Sequence, residues 1–240
     1  MSNRNSFFIK HLSGSVFIAF CVSLIVFCIW YPVPLAKSLG VTHVFFMLLV
    51  VDVIVGPLLS FIVYKEGKRT LKMDLAVIII LQLAALIYGV FHIYQGRPVV
   101  LAFQNYQFEM VRFNDVIEVD HGPKLSLFKP EFIAVDMGKT IAEKNQYFTE
   151  EMLTGIPAAY RSERYIPIKE SAYQLLKEKR SLGELIEFNN KDDINKTLSL
   201  YPAAVGWLPL RVMSGLDMVV LIDIKGTVIN VVDLRPWGLS

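Results

Sequence analysis

The sequence predicts a three-helix transmembrane bundle followed by an α+β soluble domain with a C-terminal antiparallel β-meander. Three observations predict it. First, three apolar runs crowd the first 95 residues: 12–31 carries no charge, 41–64 carries only Asp52, and 75–95 has no Asp, Glu, Lys or Arg. A helix needs about 20 mostly apolar residues to cross roughly 30 Å of hydrocarbon. Second, charge is divided sharply. Residues 1–96 hold 7 of the 24 Lys and Arg and 3 of the 22 Asp and Glu. Third, segments 206–213, 218–224 and 227–234 are short and apolar, joined at Ser214-Gly215 and Lys225-Gly226, as in a meander with tight turns. The expected organisation is a membrane domain over 1–96, with helices at about 12–31, 43–64 and 74–95, and a second domain over 97–240. That second segment is long enough for one core.

Arg4 and Lys10 precede the first run, Lys37 alone separates it from the second, and Lys65, Lys68, Arg69 and Lys72 lie between the second and third. Short loops rich in Lys and Arg stay cytoplasmic. The N-terminus and the 65–74 loop are therefore expected in the cytoplasm. Three crossings then deliver residue 95 onward to the far side, the periplasm for a bacterial cell inner membrane. The first run has the basic start of a signal peptide, but its apolar stretch is too long for one. Trp30-Tyr31 closes it as an interfacial anchor, and Pro34-Leu35-Ala36 mimics a cleavage site poorly. Cys21 and Cys28 share one helix face and read as small packing side chains rather than a disulfide.

Asp52 is the sharpest feature of the bundle. A mid-helix carboxylate costs about 2.5–3.5 kcal/mol on insertion scales, so it should face protein or water. It reads either as a polar contact with a partner helix or ion path, or as a protonated acid hydrogen-bonded inside the bundle to Gln82. One acid and one glutamine make a poor proton relay. Gly56-Pro57 should kink the second helix and leave carbonyls near Val53 without donors. His43 and His92 fall near helix ends and read as interfacial anchors, too few for a metal site. Tyr94-Gln95-Gly96-Arg97-Pro98 stops the third helix, with Arg97 expected among head groups.

In the second domain, 99–103 and 106–113 read as strands around Gln104-Asn105, and the second alternates imperfectly. Short Pro-punctuated pieces follow at 116–119 and 124–135. Residues 139–153 read as a helix with Ile141, Phe148, Met152 and Leu153 as its apolar stripe and Gly155 as its stop. Further helices are expected over 170–181 and 192–201, the latter capped by Asp192 or Asp193.

Chemistry is sparse. The domain is close to electrical neutrality, which removes the case for nucleic acid. It has one histidine, His121, and no cysteine, G-x-S-x-G or phosphate loop. No cofactor, metal or catalytic residue is expected. Asp115, Glu118, Asp120 and His121 cluster after a strand and could hold a cation, but a solvated loop before Gly122-Pro123 is the favoured reading. Segment 160–165, with Arg161, Glu163 and Arg164, reads as an exposed rim for partner recognition through Arg and Tyr, or as ordinary surface charge.

Several stretches carry a family resemblance. They are Val55-Gly56-Pro57-Leu58-Leu59, Lys72-Met73-Asp74-Leu75-Ala76-Val77-Ile78 with Leu81-Gln82-Leu83-Ala84-Ala85-Leu86-Ile87-Tyr88-Gly89, and Gln95-Gly96-Arg97-Pro98-Val99. Gly206-Trp207-Leu208-Pro209-Leu210 and Pro236-Trp237 add weaker support. Together they resemble the type IV pilin accessory proteins of the TfpX/TfpZ type. The resemblance implies an inner-membrane protein of Gram-negative bacteria that helps a major pilin assemble into pili, with no catalytic residues to carry over. The chain does not resemble a pilin: Phe7-Phe8 follow Ser6, and the first apolar run holds no acid. On this reading the partner is a type IV major pilin, contacted through Asp52, Gly56, Pro57 and Gln82 in the bilayer and through Arg161 and Arg164 outside it. The alternatives are a membrane-tethered sensor or ligand-binding domain, and an envelope enzyme using Asp115, Asp120 or Asp136.

Overall fold

The structure, a computed structural model, describes residues 3–117 and 125–238. The chain divides into two units: residues 1–36 with 40–96, and residues 37–39 with 97–240.

The first unit contains three helices, α1 (Asn3–Trp30), α2 (Val41–Val63) and α3 (Leu71–Gln95), each long and apolar enough to cross a membrane. Most of their large side chains point outward, among them Phe17, Phe46, Leu81 and Ile87. A helix that is apolar all round needs an apolar surrounding. Aromatic pairs join α1 to its neighbours: Phe8 with Phe61, Phe27 with Phe45, and Trp30 with Tyr94, at 5.1–5.4 Å between ring centroids. Tyr31, expected as an interfacial anchor, is buried and its hydroxyl donates to the Ile93 carbonyl at 2.7 Å. α1 starts well before residue 12 because its polar first turns continue the same helix.

Two helices widen into π-helical stretches, Ile25–Trp30 in α1 and Val50–Val55 in α2. The second lies directly before Gly56-Pro57. There the Gly56 N–H reaches back five residues to the Val51 carbonyl. In that register residue 57 would donate to residue 52, and proline has no N–H. The orphaned carbonyl is therefore that of Asp52, one residue earlier than an α-helical count around Val53 gives.

The second unit is a seven-stranded mixed sheet with helices, in the order β4-β3-β1-β2-β5-β6-β7. Its strands are β1 (Pro98–Gln104), β2 (Gln107–Arg112), β3 (Glu131–Val135), β4 (Tyr165–Pro167), β5 (Ala204–Arg211), β6 (Met218–Asp223) and β7 (Val228–Val232). Its main helices are α4 (Ile141–Thr154), α5 (Ala172–Glu178) and α6 (Lys191–Ser199). β1 and β2 form a hairpin turning at Asn105-Tyr106, where Asn105 takes a positive φ of 57°, a conformation asparagine tolerates. Both strands are buried through their centres. Covering on both faces explains why β2 fails to alternate. β5, β6 and β7 form the antiparallel meander, joined to β2 through a parallel pairing of Phe108 with Leu210 and Glu109 with Arg211.

Two apolar cores flank this arrangement. Val99, Val100, Ala102, Val111, Ala158 and Ala159 form one, and Leu185, Ile194, Trp207, Val219, Leu221 and Val232 the other. Gly226, in the turn before β7, has φ +76°, and a Cβ there would fall 2.3 Å from the Ala172 carbonyl oxygen. Only glycine meets both demands. Arg97 is fully buried with its guanidinium 4.1 Å from the Phe113 ring centroid, so the expectation that it lies among head groups is corrected. Residues 37–39 belong to this unit through Ser38, whose hydroxyl donates to the Leu216 carbonyl and whose carbonyl accepts from the Leu216 N–H.

Candidate functional site

Four residues singled out in the sequence meet in the helical unit. Pro57 leaves the Asp52 carbonyl without its helical donor, and the Gln82 side-chain amide donates to that carbonyl at 2.7 Å. The same amide donates to the Ser15 hydroxyl at 2.9 Å. Gln82 comes this close because position 56 has no side chain: a Cβ on Gly56 would fall 2.0 Å from Gln82 Oε1. That Oε1 lies 3.1 Å from His11 Nε2, and His11 Nδ1 lies 2.9 Å from the Ser60 hydroxyl. One glutamine on α3 thus ties α1 through His11 and Ser15 to α2 through Asp52, with Ser60 closing the ring. Ser15, Asp52, Gly56, Pro57 and Ser60 are all buried.

The Asp52 side chain lies within this network but is not bonded by it. It is 3% exposed, and neither carboxylate oxygen has a hydrogen-bond partner among the described residues. Gln82 reaches its backbone rather than its carboxyl group. His11, Ser15 and Ser60 were missed in the sequence. His11 stands one residue before the uncharged run, and only the depth of α1 brings it inside.

Arg161 and Arg164 also have internal roles. They are 9% and 6% exposed, so the expectation of an exposed rim is corrected. Glu150 on α4 bridges both: Arg161 Nη1 lies 2.8 Å from Glu150 Oε1, and Arg164 Nη2 pairs with Glu150 Oε2. Arg161 also donates to the Thr154 hydroxyl, and Arg164 stacks 3.9 Å above the Tyr147 ring. The two arginines clamp α4 to the segment that leads into β4. Asp115, one of the proposed cation ligands, pairs with Arg112 at 2.7 Å. Glu118, Asp120 and His121 lie outside the described residues. Among the described residues no group of His, Cys, Asp and Glu is arranged to hold a metal ion.

One further acid is buried within the sheet. Glu109 on β2 is 5% exposed and accepts from Gln104 Nε2 at 3.2 Å. Burial pushes its carboxyl above the usual range, Arg211 pulls it back and Glu151 raises it further. An acid whose folded pKa is raised weakens the fold as pH rises from the unfolded value through the folded one. Glu109→Gln is therefore expected to raise the melting temperature at pH 8. It should give no gain at pH 4. Calorimetry of the purified protein at both pH values checks this.

Comparison with known proteins places the chain. A family model described as fimbrial assembly protein FimB matches residues 2–40, the stretch that carries His11, Ser15 and Ser38. A fimbrial assembly protein of Dichelobacter nodosus, serogroups C1 and C2, is 33% identical over 124 residues, which cover 95% of that protein and 49% of this chain. The chain belongs to the FimB family of fimbrial assembly proteins. The FimB relatives of serogroups E1 and I from the same organism are 26% and 25% identical over the full length of both chains. No solved structure matches. Full-length similarity means that FimB kinship takes in the helical unit and the sheet unit together.

Proposed function

We propose that this chain is an inner-membrane accessory protein that assists the assembly or stability of a type IV pilin by protein–protein contact, not by catalysis. The observation that carries the reading is kinship to fimbrial assembly proteins along the whole chain, joined to three helices fit to cross a bilayer. The N-terminus and the Lys-rich loop before α3 lie in the cytoplasm and the sheet unit in the periplasm, as the placement of Lys and Arg supports. The pilin's apolar helix is held beside the bundle whose packing is set by Asp52, Gly56, Pro57 and Gln82. Its head is met by the sheet unit, where Arg161 and Arg164 act by fixing α4. Two weak sites on one chain bind far better than either alone.

A clean deletion tests the role. Surface pili should fall sharply while pilin synthesis continues, and unchanged pilus counts would sink the proposal. Gln82→Leu tests the bundle's part. Intramembrane hydrogen bonds average about 0.6 kcal/mol each, and this change removes three partners at once. It should destabilise the helical unit by about 2 kcal/mol, read as a lower midpoint in detergent unfolding, and reduce pili with it.

A further inference from the structure

α4 is built with its polar side inward and its apolar side outward. The helix is genuine: Thr140 and Glu143 form a reciprocal cap at its start, and the Gly155 N–H closes its end on the Glu151 carbonyl. None of its residues is buried. It is held by Tyr147 under Arg164 and by Glu150 between two arginines. Ile141, Phe148 and Met152 fall on one face at helical spacing, and they are 79%, 64% and 70% exposed, with neighbouring Leu153 at 82%. The apolar stripe that the sequence marks on this helix faces solvent. Four large side chains grouped this way on a well-capped helix mark an interaction surface, unlike single exposed residues scattered over a protein.

Beside the stripe lies a cleft of about 450 Å³ lined by Phe103, Asn105, Asp136, Lys144, Phe148 and Glu151. Phe148 belongs to both, so stripe and cleft form one surface. Its charged groups, Asp136 and Glu151 against Lys144, are acidic in balance. Along α4, with Glu150 taken up by Arg161 and Arg164, Glu143 and Glu151 remain against Lys144. A helix that lies on an anionic leaflet carries Lys and Arg along its polar flank instead. A second copy meeting it through the same face would bring the same acids. The complementary surface is a polypeptide with exposed apolar side chains bordered by Lys or Arg.

We propose that the outward face of α4, with the cleft at Phe148, docks such a polypeptide, and that it is the head of the pilin subunit. The second clause rests on the function proposed above. The test uses the full-length protein in phosphatidylcholine nanodiscs and the purified major pilin, fluorescently labelled, as probe. The wild type should bind. Phe148→Ser with Met152→Ser should weaken binding at least tenfold, and so should Ile141→Ser with Leu153→Ser, an independent pair in case one variant loses its fold. Glu151→Lys should weaken binding about threefold and flatten its dependence on salt. Tyr173→Ser, at an exposed aromatic on α5, should change nothing. If pilin binds the wild type and both serine pairs equally, this inference falls and the accessory role stands. If pilin does not bind the wild type, both fall. A photo-crosslinker at Phe148 that captures lipid or a second copy of the chain, with pilin present, also overturns it.

Discussion

Glu150→Ala is expected to release α4 and to cost about 3 kcal/mol, the lower end for breaking a buried ion pair. The geometry sets that size. The two guanidinium groups are nearly enclosed, at 11% and 6% side-chain exposure, while Glu150 itself is 38% exposed and partly screened. Arg161 Nε and Arg164 Nη1 already lack hydrogen-bond partners among the described residues. Removing the shared carboxylate leaves two buried cations facing each other with less compensation still. The damage should be local. Amide exchange should accelerate across 141–154 and change little in β5–β7. Glu150→Gln keeps an acceptor and loses the charge, so it should fall between the wild type and alanine. Equal protection of α4 in all three proteins would show that the clamp does not hold the helix. Because the outward stripe depends on α4 being docked, Glu150→Ala should also lower pilus number.

Trp207→Ala should be the most damaging single truncation in the sheet unit, at about 3–5 kcal/mol. Trp207 is fully buried at the centre of the second core, among Leu185, Ile194, Val219 and Leu221. Its indole N–H donates to the Ser181 carbonyl at 2.8 Å, and its backbone exchanges two hydrogen bonds with Arg180. Alanine would leave a cavity the size of the ring and strand the Ser181 carbonyl. The melting temperature should drop by about 10 °C. Trp207→Phe keeps most of the volume and loses only the donor, so about 1 kcal/mol is expected there. A loss below about 1 kcal/mol for alanine would mean that the core collapses around the gap.

The three membrane helices were legible because their signal is length and composition, and both survive without knowledge of neighbours. The meander was legible because its strands are close in sequence and separated by strong turn residues. β4 was not: Tyr165–Pro167 is three residues long and exists only because β3 supplies its partner. Parallel pairings such as β1 with β3 leave no local trace. Asp52 was legible as costly in lipid, with Gln82 as a candidate partner, and Gly56-Pro57 as a kink; the structure brings all four together. What joins them, a π-register carbonyl freed by Pro57, follows from a backbone widening that no residue pattern announces. Arg161 and Arg164 were misread because a charged segment reads as surface by default, and Glu150 stands too far back along the chain for any helix-spacing rule to pair it with them. The stripe on α4 shows the limit most plainly. Periodicity establishes that a face is apolar and is silent about what that face will touch.

The parallel join between β2 and β5 has a consequence for how the chain matures. It rests on two register pairs, Phe108 with Leu210 and Glu109 with Arg211, drawn from positions about 100 residues apart, a closure that costs entropy before any contact repays it. The β1–β2 hairpin and the β5–β6–β7 meander can each form from neighbouring strands, but the stitch between them waits until Arg211 has emerged from synthesis. Until then the edge of β2 stands open as an unpaired template. This seam is where a nascent copy is exposed to mispairing, and where a pulse of deuterium during refolding should find protection arriving last.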